Sequence, residues 1–201
     1  MVEREHPGPV TTTGSTRDRL LDATEALIAR HGYEGTGVNT VLAASGVGNG
    51  SLYHHFPGGK DELVAASIER TGTTSRDQIQ VALRRGSAAA VRAMFDHTTE
   101  RLIVDEFDAG CRIATPLADA SPDAEVVRLA AVAAFASWTE IITAQLVAEG
   151  FRRRSATATA TAVVALLQGG LLLARGERCR DPLDDARDAA LDLLVARGPN
   201  R

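Results

Sequence analysis

The stretch GVGNGSLYHHFPGGKDEL, residues 46–63, decides the fold. Gly46, Gly48 and Gly50 stand at every second position, His54 and His55 are adjacent, and Gly58-Gly59-Lys60 follows. Glycines before a lysine suggest a phosphate-cradling loop, and paired histidines suggest a metal. Both readings fail on spacing. A P-loop needs Gly, four residues, then Gly-Lys-Ser/Thr. Five positions before Gly59 stands His54, and Asp61 follows the lysine. The dinucleotide pattern G-x-G-x-x-G lacks its third glycine whether it starts at Gly46 or at Gly48. Neighbouring helical residues point about 100° apart, so His54 and His55 cannot share an ion as an i, i+4 pair would. No metal and no cofactor is expected.

The flanking apolar spacing predicts helices. Leu20, Leu21, Ala23, Leu27 and Ile28 form one stripe from about Thr16 to His31, and Gly32 is a stop. Val38, Val41 and Leu42 predict a short helix from Val38 to Ser45, closed by Gly46. A second short helix spans Asn49 to Phe56 and stops at Pro57-Gly58-Gly59. From Lys60 the pattern becomes a long helix with a soft spot at Thr71-Gly72. Two short helices joined by a glycine turn, with a longer helix on each side, make a helix-turn-helix. Gly46 can take the left-handed conformation that reverses the chain. Val47 and Leu52 then pack back onto Val41 and the first helix. Asn49, Ser51, Tyr53, His54 and His55 are left partly outward, where their polar groups can meet base edges and phosphate oxygens.

Beyond Gly86, further helices are predicted at about 88–107, 112–120, 122–149, 153–175 and 182–197. Pro122 and Pro182 fall in first turns, with Ser121 and Asp181 before them as N-caps. Abundant alanine, 4% aromatic residues and the lack of alternating β-branched runs make the chain all-α. Residues 1–14 read as a disordered N-terminal arm, 15–62 as the helix-turn-helix domain and 63–201 as a second helical domain. The 201 residues carry a net charge of −4, so the chain has no global basic signature. Residues 1–72 hold six Lys and Arg against nine Asp and Glu. Two cysteines are too few for a disulfide framework, the N-terminus has no apolar leader core, and the most apolar stretch, AVVALLQGGLLLA, is shorter than a membrane span. A cytoplasmic protein without a membrane partner is expected.

At this point the chain resembles the TetR family of transcriptional regulators, through RDRLLDATEALIARHGYEGTGV (17–38) and VLAASGVGNGSLYHHFPGGKDELV (41–64). GSLYHHF followed shortly by Lys carries most of the resemblance. The resemblance implies a homodimer whose N-terminal helices bind a palindromic double-stranded DNA operator. Its C-terminal helices would bind a small-molecule effector and form the dimer face. It places Tyr53 and Lys60 at phosphate-contact positions and Asn49, Ser51 and His54 near bases or backbone. His55 matches a contact position too, or orients the helix, and Asn39 and Thr40 match further contacts. With an acidic head, phosphate affinity must come from Lys60, Arg17, Arg19, helix N-termini and neutral donors. Gly37 and Gly48 stand where Ser or Thr usually caps, Asn49 where Lys or Arg is common, and Leu42 where Ala is frequent. Leu42 and the HHFPGGK insertion are similar to the LmrA/YxaF-type branch. Residues 109–121 and 169–183 resemble its C-terminal domain more loosely.

In the C-terminal part, Met94, Phe95, Ile103, Phe107, Phe135, Trp138 and Ile142 either line an effector cavity or fill the core, with Thr98, Thr99, Gln145 or Gln168 as polar contacts. Trp138, a lone Trp in an Ala-rich helix, has the most surface to offer a ligand. Scattered acids (Glu100, Asp105, Glu106, Glu140) would allow a cationic or neutral aromatic effector. Cys111 is either a thiol activated near a helix N-terminus or a small buried hydrophobe, and Cys179 has the same two readings. Gly169-Gly170 and the alanines of the last two helices give either a homodimer face or intramolecular packing. The chain reads as a ligand-responsive repressor. The alternatives are a helical interaction module without DNA binding and a helical enzyme, for which no Ser-His-Asp set or carboxylate pair speaks.

Overall fold

The computed structural model describes residues 14–198. Nine helices make up these residues: α1 Thr16–His31, α2 Val38–Ser45, α3 Asn49–His55, α4 Gly59–Leu83, α5 Ser87–Val104, α6 Ala114–Asp119, α7 Glu125–Ala148, α8 Arg153–Glu177 and α9 Asp181–Arg197. Apart from Gly14, the expected N-terminal arm lies outside the described residues.

Two cores organise them. Leu20, Leu21, Val41, Val47, Leu52, Phe56 and Leu63 close a small head of α1, α2, α3 and the start of α4. The larger core joins α4, α5, α7, α8 and α9 and includes Ile68, Phe95, Trp138, Ile142, Val163 and Leu183. α4 therefore enters both cores. It runs unbroken through Thr71-Gly72, where a soft spot was expected. Gly72 serves packing instead: a Cβ there would stand 2.7 Å from the Cβ of Ala134 on α7.

Local chemistry sets several ends. The Ser15 hydroxyl accepts the Asp18 N–H and donates to the Asp18 carboxylate, which starts α1 reciprocally. α5 stops at Val104, short of Phe107, because Glu106 and Phe107 turn the chain with φ of 53° and 63°. α7 begins at Glu125, not Pro122. Ser121 to Ala124 forms a turn closed by the Ala124 N–H on the Ser121 carbonyl, so Ser121 caps no helix. Asp181 is the first residue of α9, not its cap, and that cap position belongs to Arg180.

α7 and α8 are each long and apolar enough to cross a membrane, contrary to the shorter span expected from the apolar run alone. Both are core helices here. α7 packs against α4 and α8, and α8 packs against α9.

Candidate nucleic-acid interface

The head presents α3 as its outer element. α2 ends at Gly46, whose φ of 63° and ψ of 26° put it in the left-handed region, with its N–H on the Leu42 carbonyl. Arg19 completes that end: its guanidinium donates to the carbonyls of Ser45 (2.6 Å) and Gly46 (3.1 Å). Arg19 was a candidate for phosphate, and the fold spends it on α2. On α3, Leu52 is fully buried while Asn49, Ser51, Tyr53 and His54 are exposed. His55 is half-buried, its ring edge-on to His54 at 5.1 Å. Asn39 and Thr40 are exposed on the first turn of α2.

Two cations flank this surface. Arg17 lies 5.4 Å over the Phe56 ring at the end of α3, and Lys60 holds its ammonium 3.9 Å from the Tyr33 ring centre. Neither makes an ion pair among the described residues. The neighbouring acids are engaged. Asp61 accepts the Tyr33 hydroxyl, and burial followed by that bond pushes the Tyr33 phenol well above its ordinary value. Glu62 accepts the Gly58 N–H at 2.7 Å. Arg70 gathers Asp22 at 2.6 Å and Glu25 at 2.8 Å. Asp22, Glu25, Asp61 and Glu62 are thus each bonded within the protein.

In the body, a cavity of about 260 Å³ opens between α4, α5, α7 and α8, with Met94, Thr98 and Trp138 in its wall. Trp138 donates its indole N–H to the Gly72 carbonyl at 3.0 Å. The Thr98 hydroxyl is spent on the Met94 carbonyl. A narrower recess of about 100 Å³ shares His97, Thr98 and Trp138 with this cavity and runs on to Arg101, Arg112 and Gln168. The other expected liners lie elsewhere. Phe95 and Ile142 are buried in the core, Ile103 is 47% exposed, and Phe107 sits in the turn after α5. Phe135 is half-buried and meets Trp138 edge-on at 5.3 Å. Periodicity explains the division: Met94, His97, Thr98 and Arg101 share one face of α5, and Phe95 does not. That spacing was visible in the sequence; bulk and apolarity pointed to Met94 and Trp138 in this wall and to Phe95 and Ile103 outside it. Of the other polar candidates, Gln145 bonds Glu149. Cys111 lies on the recess wall beside α6, yet burial raises its thiol, so the helix N-terminus does not activate it.

Comparison with known proteins agrees with both halves. Residues 20–67 match the family model for bacterial regulatory proteins of the tetR family, and residues 87–189 match the LmrA/YxaF-like transcriptional regulator C-terminal domain. The chain is 30% identical over 190 residues to an HTH-type transcriptional regulator of Mycobacterium tuberculosis, covering 92% of this chain and 97% of that one. The chain belongs to the TetR family. Among other relatives of this TetR-family regulator, LmrA of Bacillus subtilis, an HTH-type transcriptional regulator, is 28% identical over 183 residues, with 90% and 97% covered. DhaR of a Mycobacterium species, an HTH-type transcriptional repressor, is 26% identical over 190 residues, with 92% and 94% covered. A TetR regulator from Legionella pneumophila shares the fold at a TM-score of 0.77 and 21% identity, covering 90% of this chain and 97% of its own.

In this TetR-family protein, the segment from Asp105 to Asp119 touches both the recess and the head. Asp105, Gly110 and Arg112 line the recess. The same segment grips α1 and the turn after it. Arg112 pairs with Glu25 at 3.0 Å, and Asp105 with Arg30 at 3.5 Å. The Gly110 N–H donates to the Ala29 carbonyl at 2.7 Å. Asp119 accepts the N–H groups of Tyr33 (2.8 Å) and Glu34 (3.1 Å).

Proposed function

We propose that this regulator is a cytoplasmic, homodimeric repressor that leaves a palindromic operator when a small hydrophobic or aromatic effector enters the body cavity. The observation that carries the DNA reading is the charge arrangement around α3. The outward side chains Asn49, Ser51, Tyr53 and His54 are flanked by Arg17 and Lys60, while the nearby acids are bonded inside the protein. Tyr53, Lys60 and Arg17 meet phosphates. Asn49, Ser51 and His54 reach bases or backbone, His55 supports or orients α3, and Asn39 and Thr40 add contacts from α2.

The head, residues 15–62, acts as the DNA-binding domain, and residues 63–201 hold the effector and the partner. Leu172, Leu173 and Val195 leave α8 and α9 with 68%, 57% and 83% of their surface exposed, which suits a four-helix face shared with a second copy. Two α3 helices would then enter successive major grooves about 34 Å apart. Met94, Thr98 and Trp138 are the effector contacts the cavity supports. The grip of residues 105–119 on α1 supports a route by which a ligand favours a head position that fits the operator less well.

A gel shift with the DNA flanking the protein's own coding region tests the reading. Specific binding should appear, weaken in Tyr53→Ala and Lys60→Ala, and fall steeply with salt. Specific binding that both substitutions leave intact overturns the residue assignment. A folded dimer that binds no such DNA overturns the operator reading.

A further inference from the structure

We propose that the effector is a small aromatic acid whose anionic group is held between Arg101 and Arg112 while its apolar body lies against Trp138. This deepens the effector reading above and rests on it. The sequence, with its scattered acids, left a cation or a neutral ligand open. The structure points the other way.

Arg101 is half-buried on α5 and lines the recess, yet among the described residues its side chain makes no ion pair and no hydrogen bond. Arg112, which also lines the recess, spends one terminal nitrogen on Glu25, and its buried Nε has no partner. A buried donor without an acceptor is costly, and an acceptor that reaches it as the recess wall adjusts would be bound strongly. The two guanidinium groups also feel each other. Burial, then the charge of Arg101, lowers the Arg112 guanidinium below its ordinary value. His97 at the junction of cavity and recess is lowered by burial and then by Arg101, which keeps it neutral near pH 7. Thr71 adds a second unpartnered polar atom, its buried hydroxyl, to the recess wall.

The acids nearby leave Arg101 without a counter-ion among the described residues. Asp105, at the edge of the recess, is drawn to Arg30, and Glu25 is shared between Arg70 and Arg112. A cationic ligand would meet like charge at Arg101, and a neutral one would leave that charge without a counter-ion. An anion answers both. The apolar part of the ligand is bounded by Ile79, Met94, Trp138 and Leu167 around about 260 Å³. An apolar cavity of about 150 Å³ holds benzene, so this one suits a substituted ring or a fused pair.

The site would also link charge to regulation. A carboxylate drawn to Arg112 competes with Glu25, and Arg112–Glu25 is one of the bonds by which the recess wall holds α1. A neutral molecule of the same shape would fill the cavity and leave that bond alone.

Calorimetry on the full-length protein with 2-naphthoate, 2-naphthamide and 2-naphthylmethylammonium tests the proposal. The acid should bind at least about tenfold tighter than the amide, and the ammonium should not bind. Arg101→Gln should bring the acid down to the level of the amide and leave the amide within about twofold. Because Arg101 has no partner to lose, this variant should melt like the parent. Arg112→Gln should also bring the acid down to the level of the amide; because it loses the Glu25 pair it should melt below the parent, and it is titrated well under its own melting temperature. Failure of the acid to bind, an acid no better than the amide, or a preference that survives both substitutions overturns the proposal. Met94→Trp, which fills the cavity, separates the two readings. Binding blocked by Met94→Trp but indifferent to the arginines removes the acid and keeps the cavity. Acid binding that Met94→Trp leaves unchanged removes the effector-cavity reading as well.

Discussion

Trp138 and Gly72 hold each other across the contact between α7 and α4: the indole N–H donates to the glycine carbonyl at 3.0 Å. The missing side chain at Gly72 is what lets α7 come this close, because an added Cβ would meet that of Ala134 at 2.7 Å. Gly72→Ala should gain about 1 kcal/mol of helix propensity. It should lose more, about 1–3 kcal/mol, to overpacking. The expected net result is a lower urea midpoint together with a shifted Trp138 emission, since Trp138 is the chain's single Trp. Ala134→Gly in the same chain should recover part of the loss. A Gly72→Ala protein more stable than the parent would show that α7 moves aside freely.

Arg19 and Lys60 are both cations of the head, and they should fail in different ways. Arg19→Ala removes two bonds to the carbonyls that end α2. It should destabilise the fold by about 1–3 kcal/mol and leave the salt slope of operator binding unchanged. Lys60→Ala loses a cation–π contact of about 0.5–1 kcal/mol. It should flatten that slope by about one phosphate's worth. Denaturation and filter binding over a salt series read both. A slope that flattens equally in Arg19→Ala would return Arg19 to the phosphate backbone.

The difference between these two residues shows what a sequence can carry. α1 and α2 follow from neighbours in the chain: Ser15 with Asp18, and Gly46 closing on Leu42. The head was legible because its caps and turns are local chemistry. Arg19 was not, because Ser45 lies 26 residues away and only the folded head brings them together. The body was harder for the same reason. Nothing local says that Phe107 takes a positive φ, or that a Ser-Pro pair at 121–122 makes a turn and not a cap. The cavity wall followed the periodicity of α5, which brought in His97 and Arg101, whereas size and apolarity had suggested Phe95 and Ile103. The Arg112–Glu25 bond spans 87 residues and left no trace in composition.

Glu149 gives the fold a pH-dependent joint. At the end of α7 it accepts the N–H and hydroxyl of Ser87, which opens α5, and the amide of Gln145. Burial alone would raise its carboxyl, but the bonds from Ser87 and Gln145 prevail and hold it below its ordinary value of 4.5. The unfolded chain therefore binds the proton more readily. The stabilisation is complete above pH 4.5 and is lost as pH falls through the lower, folded-state value. Glu149→Gln should melt at a lower temperature than the parent at pH 7, and the gap should close on acidification. A gap that stays constant to pH 3, about a unit and a half below the ordinary value, would contradict this role.

Asp119 stands at the join between head and body. Its two carboxylate oxygens accept the N–H groups of Tyr33 and Glu34, just past the end of α1. Gly32 is the residue that allows this approach: with φ of 70°, a Cβ there would fall 2.2 Å from the Asp119 carboxylate. Asp119→Ala leaves both main-chain donors without that acceptor and should cost about 1–3 kcal/mol. Asp119→Asn keeps one accepting oxygen and should fall between the variant and the parent. The loss should be local to the join. Amide exchange at residues 32–36 should quicken in Asp119→Ala, while the core of the body, around Ile142 and Val163, keeps its protection. Tyr33→Phe offers the contrast: it removes only the bond from Tyr33 to Asp61, at the start of α4, and should leave exchange at Glu34 unchanged. Equal exchange at 32–36 in Asp119→Ala and the parent would mean that other contacts, among them Arg112–Glu25, Arg30–Asp105 and Gly110–Ala29, hold the join without Asp119.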